Sequence, residues 1–380
     1  MDDLKSKLLD IDNNNLRRKL KYLSSPQDKN IVIDGKEILL MASNNYLDLA
    51  NRQELKDAAI DGINKYGVGS GGSRLTTGSY LPHRELEERL SKFFNREDSI
   101  IFNSGYTANI TVIQAICDES YIIFSDSENH ASIIDGCRLS KAKIIVFKHN
   151  DILELEEKLK INKSKNMLII TEGIFSMSGD LSLLKEICRL AKRYDTKVMV
   201  DDAHGIGVVG KQGRGILDFY NLNDDVDIYM GTLSKAIGTE GGFVSGKTHI
   251  IEYLKNKARG FIYSTAIAPH LCMASIKALE IMERENLTEK LRYNIKYTEK
   301  TFKQTFKNIK CDSAVIKIPI GDEKKAVEIS TKLLDIGIYI PAIRYPTVKK
   351  GEAILRLCIM SSHTEEDINR VYKSIQNIIA

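Results

Sequence analysis

SIIFNSGYTAN, residues 99–109, holds the local pattern on which the fold turns. An apolar run, Ser99 to Phe102, reads as a buried strand; Ser104-Gly105-Tyr106 interrupts it; a helical period then begins. Backbone N–H groups at such a helix start make an anion site. An ordinary strand–helix turn accounts for the segment equally well. The same alternation extends outward from about 53 to 245, through YIIF (121–124), KIIVF (143–147), MLII (167–170), KVMV (197–200) and DIYM (227–230). Helix-period segments at 108–117, 131–140, 151–160 and 181–194 separate these runs. Strands alternating with helices predict an α/β fold with a mostly parallel sheet covered on both faces.

The flanks differ. Residues 1–25 predict a charged amphipathic helix, and NIVIDGKEILLMA (30–42) predicts a hairpin turning at Asp34-Gly35. After 250 come long helices over 268–308, then VIKIPI (315–320), a helix at 323–336, IYIPAI (338–343), ILRLCIM (354–360) and a helix at 364–379. The expected division is an N-terminal helix and hairpin segment (1–52), a large domain (53–250) and a smaller α+β C-terminal domain (251–380).

A net charge of +4 on 380 residues gives no reason to expect a nucleic-acid partner, although it permits an anionic substrate. Six cysteines at 117, 137, 188, 272, 311 and 358 form no C-x-x-C pair and read as reduced, largely buried thiols. The charged N-terminus lacks an apolar signal core, and no apolar run approaches the roughly 20 residues of a membrane span. A cytoplasmic protein without membrane or metal is the expectation.

Three glycine stretches imitate phosphate loops. Gly67 to Gly72 fits G-x-G-x-x-G but follows a helical stretch, and Gly205 to Gly210 runs on into KQGRG, a poor start for an apolar helix. Gly241 to Thr248 satisfies the Walker A pattern, yet its GFVS reads as a strand where a loop is required. Glycines in turns and close packing explain all three, and a nucleotide-binding protein stays as the alternative from another class.

Most chemistry-bearing residues follow the carboxyl ends of predicted strands, where open α/β sheets build their sites. In VMVDDAHG (198–205), Asp201 and His204 stand at a strand end. A carboxylate there wants a cationic partner, and a protonated pyridine nitrogen would be one. A structural aspartate with a core histidine fits equally well. In DIYMGTLSKAIG (227–238), Lys235 follows small and polar residues that would let a cofactor approach, and Thr232 and Ser234 offer hydroxyls to a phosphate, although by itself the segment fits a solvated loop lysine better. His130, after the YIIF strand, is able to lie against an aromatic ring. Arg356, inside an apolar run, wants a carboxylate from the substrate or from the protein.

The order of these segments resembles the α-oxoamine synthases, fold-type I pyridoxal 5′-phosphate (PLP) enzymes that condense an amino acid with an acyl-CoA. The likeness runs nearly end to end through SNNYLDL (43–49), YGVGSGGSRLTTG (66–78), NSGYTAN (103–109), NHASIIDG (129–136), TEGIFSMSGD (171–180), VDDAHGIGVVGKQGRG (200–215), TLSKAIG (232–238), FIYSTAIAP (261–269) and AIRYPTVKKGEAILRL (342–357).

The resemblance implies that Lys235 holds the cofactor as a Schiff base and that Asp201 pairs with the pyridine nitrogen. It implies that His204 and Ser176 contact the phenolic oxygen and that His130 stacks on the ring. Gly105, Tyr106 and Thr232 would hold the phosphate, and Thr265 the phosphate of a partner subunit, so a homodimer is expected. Asn44 and Arg356 would address the amino-acid carboxylate, Glu172 the catalytic pocket, and Arg17 and Thr347 the acyl donor. The Asp-Asp-Ala-His-Gly form is similar to the biotin-pathway branch, which joins L-alanine to pimeloyl-CoA or a pimeloyl-carrier protein. A sister glycine acyltransferase is the nearer alternative. Tyr106 in place of a common Phe, Asn45 in place of Asp, Ile354 in place of a basic residue, and Lys349-Lys350 in place of a common proline depart from the family pattern.

Overall fold

The computed structural model describes residues 2–14, 16–18 and 20–379. The chain opens with α1 (Asp2–Asn13) and the hairpin β1 (Asn30–Ile33) and β2 (Lys36–Leu40). Next come α2 (Gln53–Tyr66), α3 (Leu81–Phe93), β3 (Asp98–Phe102), α4 (Gly105–Ile116), β4 (Ile122–Asp126), α5 (Ala131–Leu139), β5 (Lys143–Phe147) and α6 (Ile152–Ile161). Then follow β6 (Met167–Glu172), α7 (Leu184–Arg193), β7 (Lys197–Asp201), α8 (Gly215–Tyr220), β8 (Ile228–Thr232), β9 (Gly242–Gly246), α9 (Thr248–Lys257), α10 (Arg259–Ile262) and α11 (Pro269–Arg284). The chain closes with α12 (Leu287–Phe302), β10 (Val315–Gly321), α13 (Glu323–Asp335), β11 (Ile338–Tyr339), β12 (Ala342–Ile343), β13 (Ala353–Cys358) and α14 (Glu365–Ile379).

The larger compact unit comprises residues 49–176 and 180–289. Its seven-stranded sheet runs β3-β9-β8-β7-β6-β4-β5. All neighbours are parallel except β9, which is antiparallel to both β3 and β8. The central strands β6, β7 and β8 are buried almost throughout, as expected where helices cover both faces. Strand β9 occupies the middle of the Walker-like segment, so those glycines bracket a strand and enclose no phosphate loop.

The smaller unit comprises residues 1–48, 177–179 and 290–380. Within it β11 pairs in parallel with β2, and β10 and β12 flank β13 antiparallel. The hairpin turns at Asp34 and Gly35, both at positive φ (50° and 74°), the backbone that Asp-Gly supplies most readily. The IYIPAI run is split at Pro341 into two short strands that join different sheets.

These bounds differ from the expected cuts at 52 and 250. Residues 251–289 group with the large unit because α11 packs along α2 and α3. Gly62 makes that approach feasible, since a Cβ there would lie 2.6 Å from His270 Cα. The first and last segments share one unit because the edge of the hairpin, β2, takes its third strand from β11. The expected helix over 1–25 also ends early, at Asn13. Farther on, Leu23 bridges to Ile33 and Ser24 N–H bonds Val32 C=O at 2.9 Å, which extends the hairpin instead. Part of that expectation, at residues 1, 15 and 19, lies outside the described residues. All six cysteines are buried and none is in a disulfide. Among the described residues no helix is long and apolar enough to cross a membrane.

Candidate active site

The carboxyl ends of β6, β7 and β8 and the first turn of α4 surround a cavity of about 270 Å³ in the large unit. Each strand delivers one polar group there because its apolar residues are consumed by the sheet before its last position. Strand β7 ends on Asp201, whose Oδ1 accepts Ala203 N–H at 2.9 Å and whose Oδ2 accepts Asn109 Nδ2–H at 2.7 Å. His204 follows in the same turn and also lines the cavity.

Strand β8 ends on Thr232, whose hydroxyl bonds Gly241 C=O at 2.8 Å and sits 2.7 Å from Ser234 Oγ. These bonds shape the turn that presents Lys235, closed by Gly238 N–H on Lys235 C=O at 3.0 Å. Helix α4 is capped by Ser104, whose Oγ accepts Thr107 N–H at 3.0 Å. The Gly105 and Tyr106 N–H groups open its first turn on the cavity, opposite Thr232.

Strand β6 ends on buried Glu172, whose Oε1 has no hydrogen-bond partner. Burial first, and the Asp201 charge second, push its carboxyl well above the usual range. The Lys235 charge and the His130 and Ser176 N–H groups act in the opposite direction. His130 caps α5 and opens on the cavity. Desolvation by its surroundings, reinforced by Lys235 and opposed by Asp201, holds it below the ordinary imidazole range. The Tyr106 ring meets the His130 ring edge-on at 6.1 Å, and its hydroxyl bonds Asp135 on α5.

The structure thus brings Lys235, Asp201, His204, His130, Glu172, Gly105, Tyr106 and Thr232 together around one cavity. Ser176 and Thr265 are not among its lining residues. Ser176 is buried in the loop after β6. Thr265 is exposed, bridged to Ser73, with its carbonyl held by Asn103 Nδ2 at 2.8 Å.

In the smaller unit, buried Arg356 donates to Asn44 Oδ1 at 3.3 Å and to Cys358 Sγ at 2.9 Å, and also bonds the Tyr46 hydroxyl. Arg17 and Thr347 are linked through neighbours: Arg344 donates to Arg17 C=O at 2.9 Å and Arg18 to Thr347 Oγ1 at 3.4 Å.

Sequence reasoning missed Asn109 and Ser132, both buried in the cavity wall. Their signal is a polar residue on an apolar helix face, and Asn109 stands one turn beyond Gly105. It also missed the role of Asp202. That carboxylate accepts Tyr229 O–H at 2.7 Å and Ile216 N–H at 2.6 Å, and burial pushes its pKa up to about 7. Gly173, Gly205 and Gly215 surround it so closely that a Cβ at any of them would come within 2.3 Å of its oxygens.

The loop after β6 is tied down by His149, which sits 3.1 Å from Asp126 Oδ1 and 2.8 Å from Asp180 Oδ2. Burial opposes its charge, but the two carboxylates prevail and raise its pKa to about 10. A histidine raised on folding stabilises fully below its ordinary pKa of about 6.5, and that contribution fades as pH rises to about 10. His149→Gln is therefore expected to lower Tm most below about pH 6.5 and least near pH 10. A Tm difference independent of pH would contradict this.

This sheet, with a lysine, an aspartate and two histidines at its carboxyl edge, defines a fold-type I PLP-dependent transferase. The residues fit the cofactor: a helix N-terminus and a threonine hydroxyl suit a phosphate, Asp201 suits a ring cation, and Lys235 suits an aldehyde. The chain belongs to the aminotransferase class I and II family, whose family model matches residues 36–375. A putative 8-amino-7-oxononanoate synthase of Acetivibrio thermocellus is 47% identical over 99% of this chain and 97% of its own length. The 8-amino-7-oxononanoate synthase of Thermoanaerobacter pseudethanolicus is 45% identical over 100% of this chain and 97% of its own. Among solved structures, serine palmitoyltransferase of S. paucimobilis superimposes with a TM-score of 0.92 at 28% identity, covering 99% of this chain and 96% of that one. The 8-amino-7-oxononanoate synthase of Francisella tularensis gives 0.78 at 30% identity, covering 90% and 98%. These relatives bear out the resemblance to the α-oxoamine synthases and leave no place for the nucleotide-binding alternative.

Proposed function

We propose that this chain condenses L-alanine with a pimeloyl thioester, giving 8-amino-7-oxononanoate, the free thiol and CO2, in biotin synthesis. One observation carries the reading: Lys235, Asp201, His204, His130 and Thr232 line the same cavity, in a chain whose relatives bear that enzyme name. When bound, PLP supplies an electron sink for the pair left at Cα when a bond there breaks. Lys235 would hold the cofactor covalently until the alanine amine displaces it, and its freed amine would then take the alanine Cα proton and later return one to the product carbon. Asp201 would keep a proton on the ring nitrogen. His204 would meet the phenolic oxygen, with Ser176 assigned to it from the loop after β6, outside the cavity lining, and His130 would stack on the ring. Gly105, Tyr106 and Thr232 would hold the phosphate. Glu172, whose burial favours the protonated carboxyl, is assigned to the catalytic pocket. Arg356 with Asn44 is assigned to the amino-acid carboxylate, and Arg17 with Thr347 to the acyl donor.

The test is the visible spectrum of the protein with PLP, titrated with L-alanine, then glycine, then pimeloyl-CoA. The expected result is a cofactor band that responds to alanine and changes again when the thioester arrives. A response to glycine alone would move the assignment to the sister glycine acyltransferases. No cofactor band at all would sink the reading. A carrier-protein thioester that reacts faster than the CoA ester would settle the donor.

The homodimer belongs to the same proposal. Val68 and Tyr263 are each 74% exposed, and Leu75 and Leu81 are more than half exposed. They flank the Ser73–Thr265 bridge, and an apolar patch of this kind is normally covered by a partner. Sedimentation should give twice the chain mass, and Val68→Asp should shift it toward one chain. A monomer that turns over at the full rate would contradict the role given to Thr265. A cytoplasmic setting is proposed with it, because six free buried thiols suit a reducing compartment.

A further inference from the structure

The hydrogen-bond directions around Asn109 follow from chemistry. Asp201 Oδ2 lies 2.7 Å from Asn109 Nδ2, and a carboxylate only accepts, so the amide N–H donates to it. The second hydrogen of the same nitrogen points to Ser132 Oγ at 2.9 Å. Ser132 thereby accepts, and its own hydrogen goes to His130 Nδ1 at 2.8 Å. Ser132 N–H donates to that nitrogen too, at 3.2 Å. His130 Nδ1 is then an acceptor, which leaves the ring proton on Nε2. The relay joins the end of β7, the second turn of α4 and the first turn of α5. Asn109 and Ser132 are each 1% exposed, so water does not substitute for either. Helices α4 and α5 approach closely enough for the relay because Gly136 lies against the Asn109 carbonyl, where a Cβ would come to 3.1 Å.

We propose that Asn109 is a positioning residue whose single amide nitrogen fixes, in one relay through Ser132, both the Asp201 carboxylate and the His130 imidazole. This rests on the PLP reading above. Asn109 holds Asp201 as a hydrogen-bond acceptor aimed at the cavity, and it sets the ring proton of His130 from the opposite side. The charged and titratable groups that also face Asp201 are Glu172, Asp202, Tyr229, His130, His204 and Lys235. An uncharged donor in their midst gives the Asp201 carboxylate a hydrogen bond without adding another charge.

The test compares PLP dissociation constants, by equilibrium dialysis, for the wild type and variants between pH 6 and 8.5. Asn109→Asp keeps the shape but replaces the donor with an acceptor. At pH 8 it should weaken PLP binding about 10- to 100-fold, the usual size of a lost hydrogen bond to a charged group. The deficit relative to wild type should shrink toward pH 6, where the new carboxyl gains a proton and donates again. Asn109→Ala should show a comparable deficit that does not change with pH. An Asn109→Asp ratio within about twofold of wild type at every pH, or a loss that ignores pH, overturns the proposal, and so does an Asn109→Ala ratio within about twofold, since that variant removes the donor without adding a charge. If Asn109→Asp does not fold, the cycle of Asn109→Ala with Ser132→Ala decides. The relay requires non-additive losses, and additive ones refute it. A wild type that takes up no PLP would instead remove the cofactor reading itself.

Discussion

Lys235→Ala is expected to leave a folded protein whose turnover falls by at least about 10²- to 10⁴-fold, the range for loss of one positioned proton-transfer group. The side chain lines the cavity and is only half-buried, so its truncation removes little core packing and Tm should stay near that of the wild type. The strand end beneath it is held independently by Thr232 on Gly241 and by Leu233 N–H on Gly241 C=O at 3.0 Å. PLP should still enter through the phosphate site at Gly105, Tyr106 and Thr232, with reduced affinity because the covalent link is gone. The measurement is thiol release from pimeloyl-CoA in the presence of L-alanine, alongside a thermal melt. Near-normal product formation by the variant would remove Lys235 from the reaction. A collapse of Tm would mean that the lysine is structural.

The second large effect is expected at Asp201. Asp201 is 5% exposed and ends a buried strand; the Asn109 and Ala203 N–H groups satisfy its oxygens in part, and a cation in the cavity would be its charge partner. Removing one preorganised electrostatic partner of this kind costs about 10²- to 10³-fold in rate. Asp201→Ala should therefore bind PLP weakly and exchange the alanine α-proton with deuterated solvent about that much more slowly, as followed by proton NMR. Asp201→Asn is the sharper variant. It keeps volume but sets an amide against the Asn109 amide, so it should lose exchange almost as fully. Rapid exchange in either variant would refute the role given to Asp201.

The site was legible in the sequence where function sits on strand ends. The buried runs ending at Asp201 and Thr232 are each followed by a turn with polar residues, and that local contrast points to Asp201, His204 and Lys235 without knowledge of the fold. Asn109 gave no comparable signal, because a polar residue on a helix reads as solvated unless the neighbour that buries it is known. Its partner Asp201 lies 92 residues away. The compact units differ from the expected cuts for a related reason. A change of periodicity marks where element types change, but it does not show that α11 packs on α2 and α3. Pro341 likewise divides an apolar run that alternation alone reads as one strand.

The sequence by itself determined the α/β class and the nearly parallel sheet, because periodicity is written over a few adjacent residues, and the order of its motifs carried the family resemblance. Only the tertiary structure decided which distant elements share a unit and which buried donors meet which acceptors. Hydrogen bonds between Asn109, Ser132, His130 and Asp201 depend on how four segments converge in space. That convergence is a property of topology and close packing, down to the absence of a Cβ at Gly136.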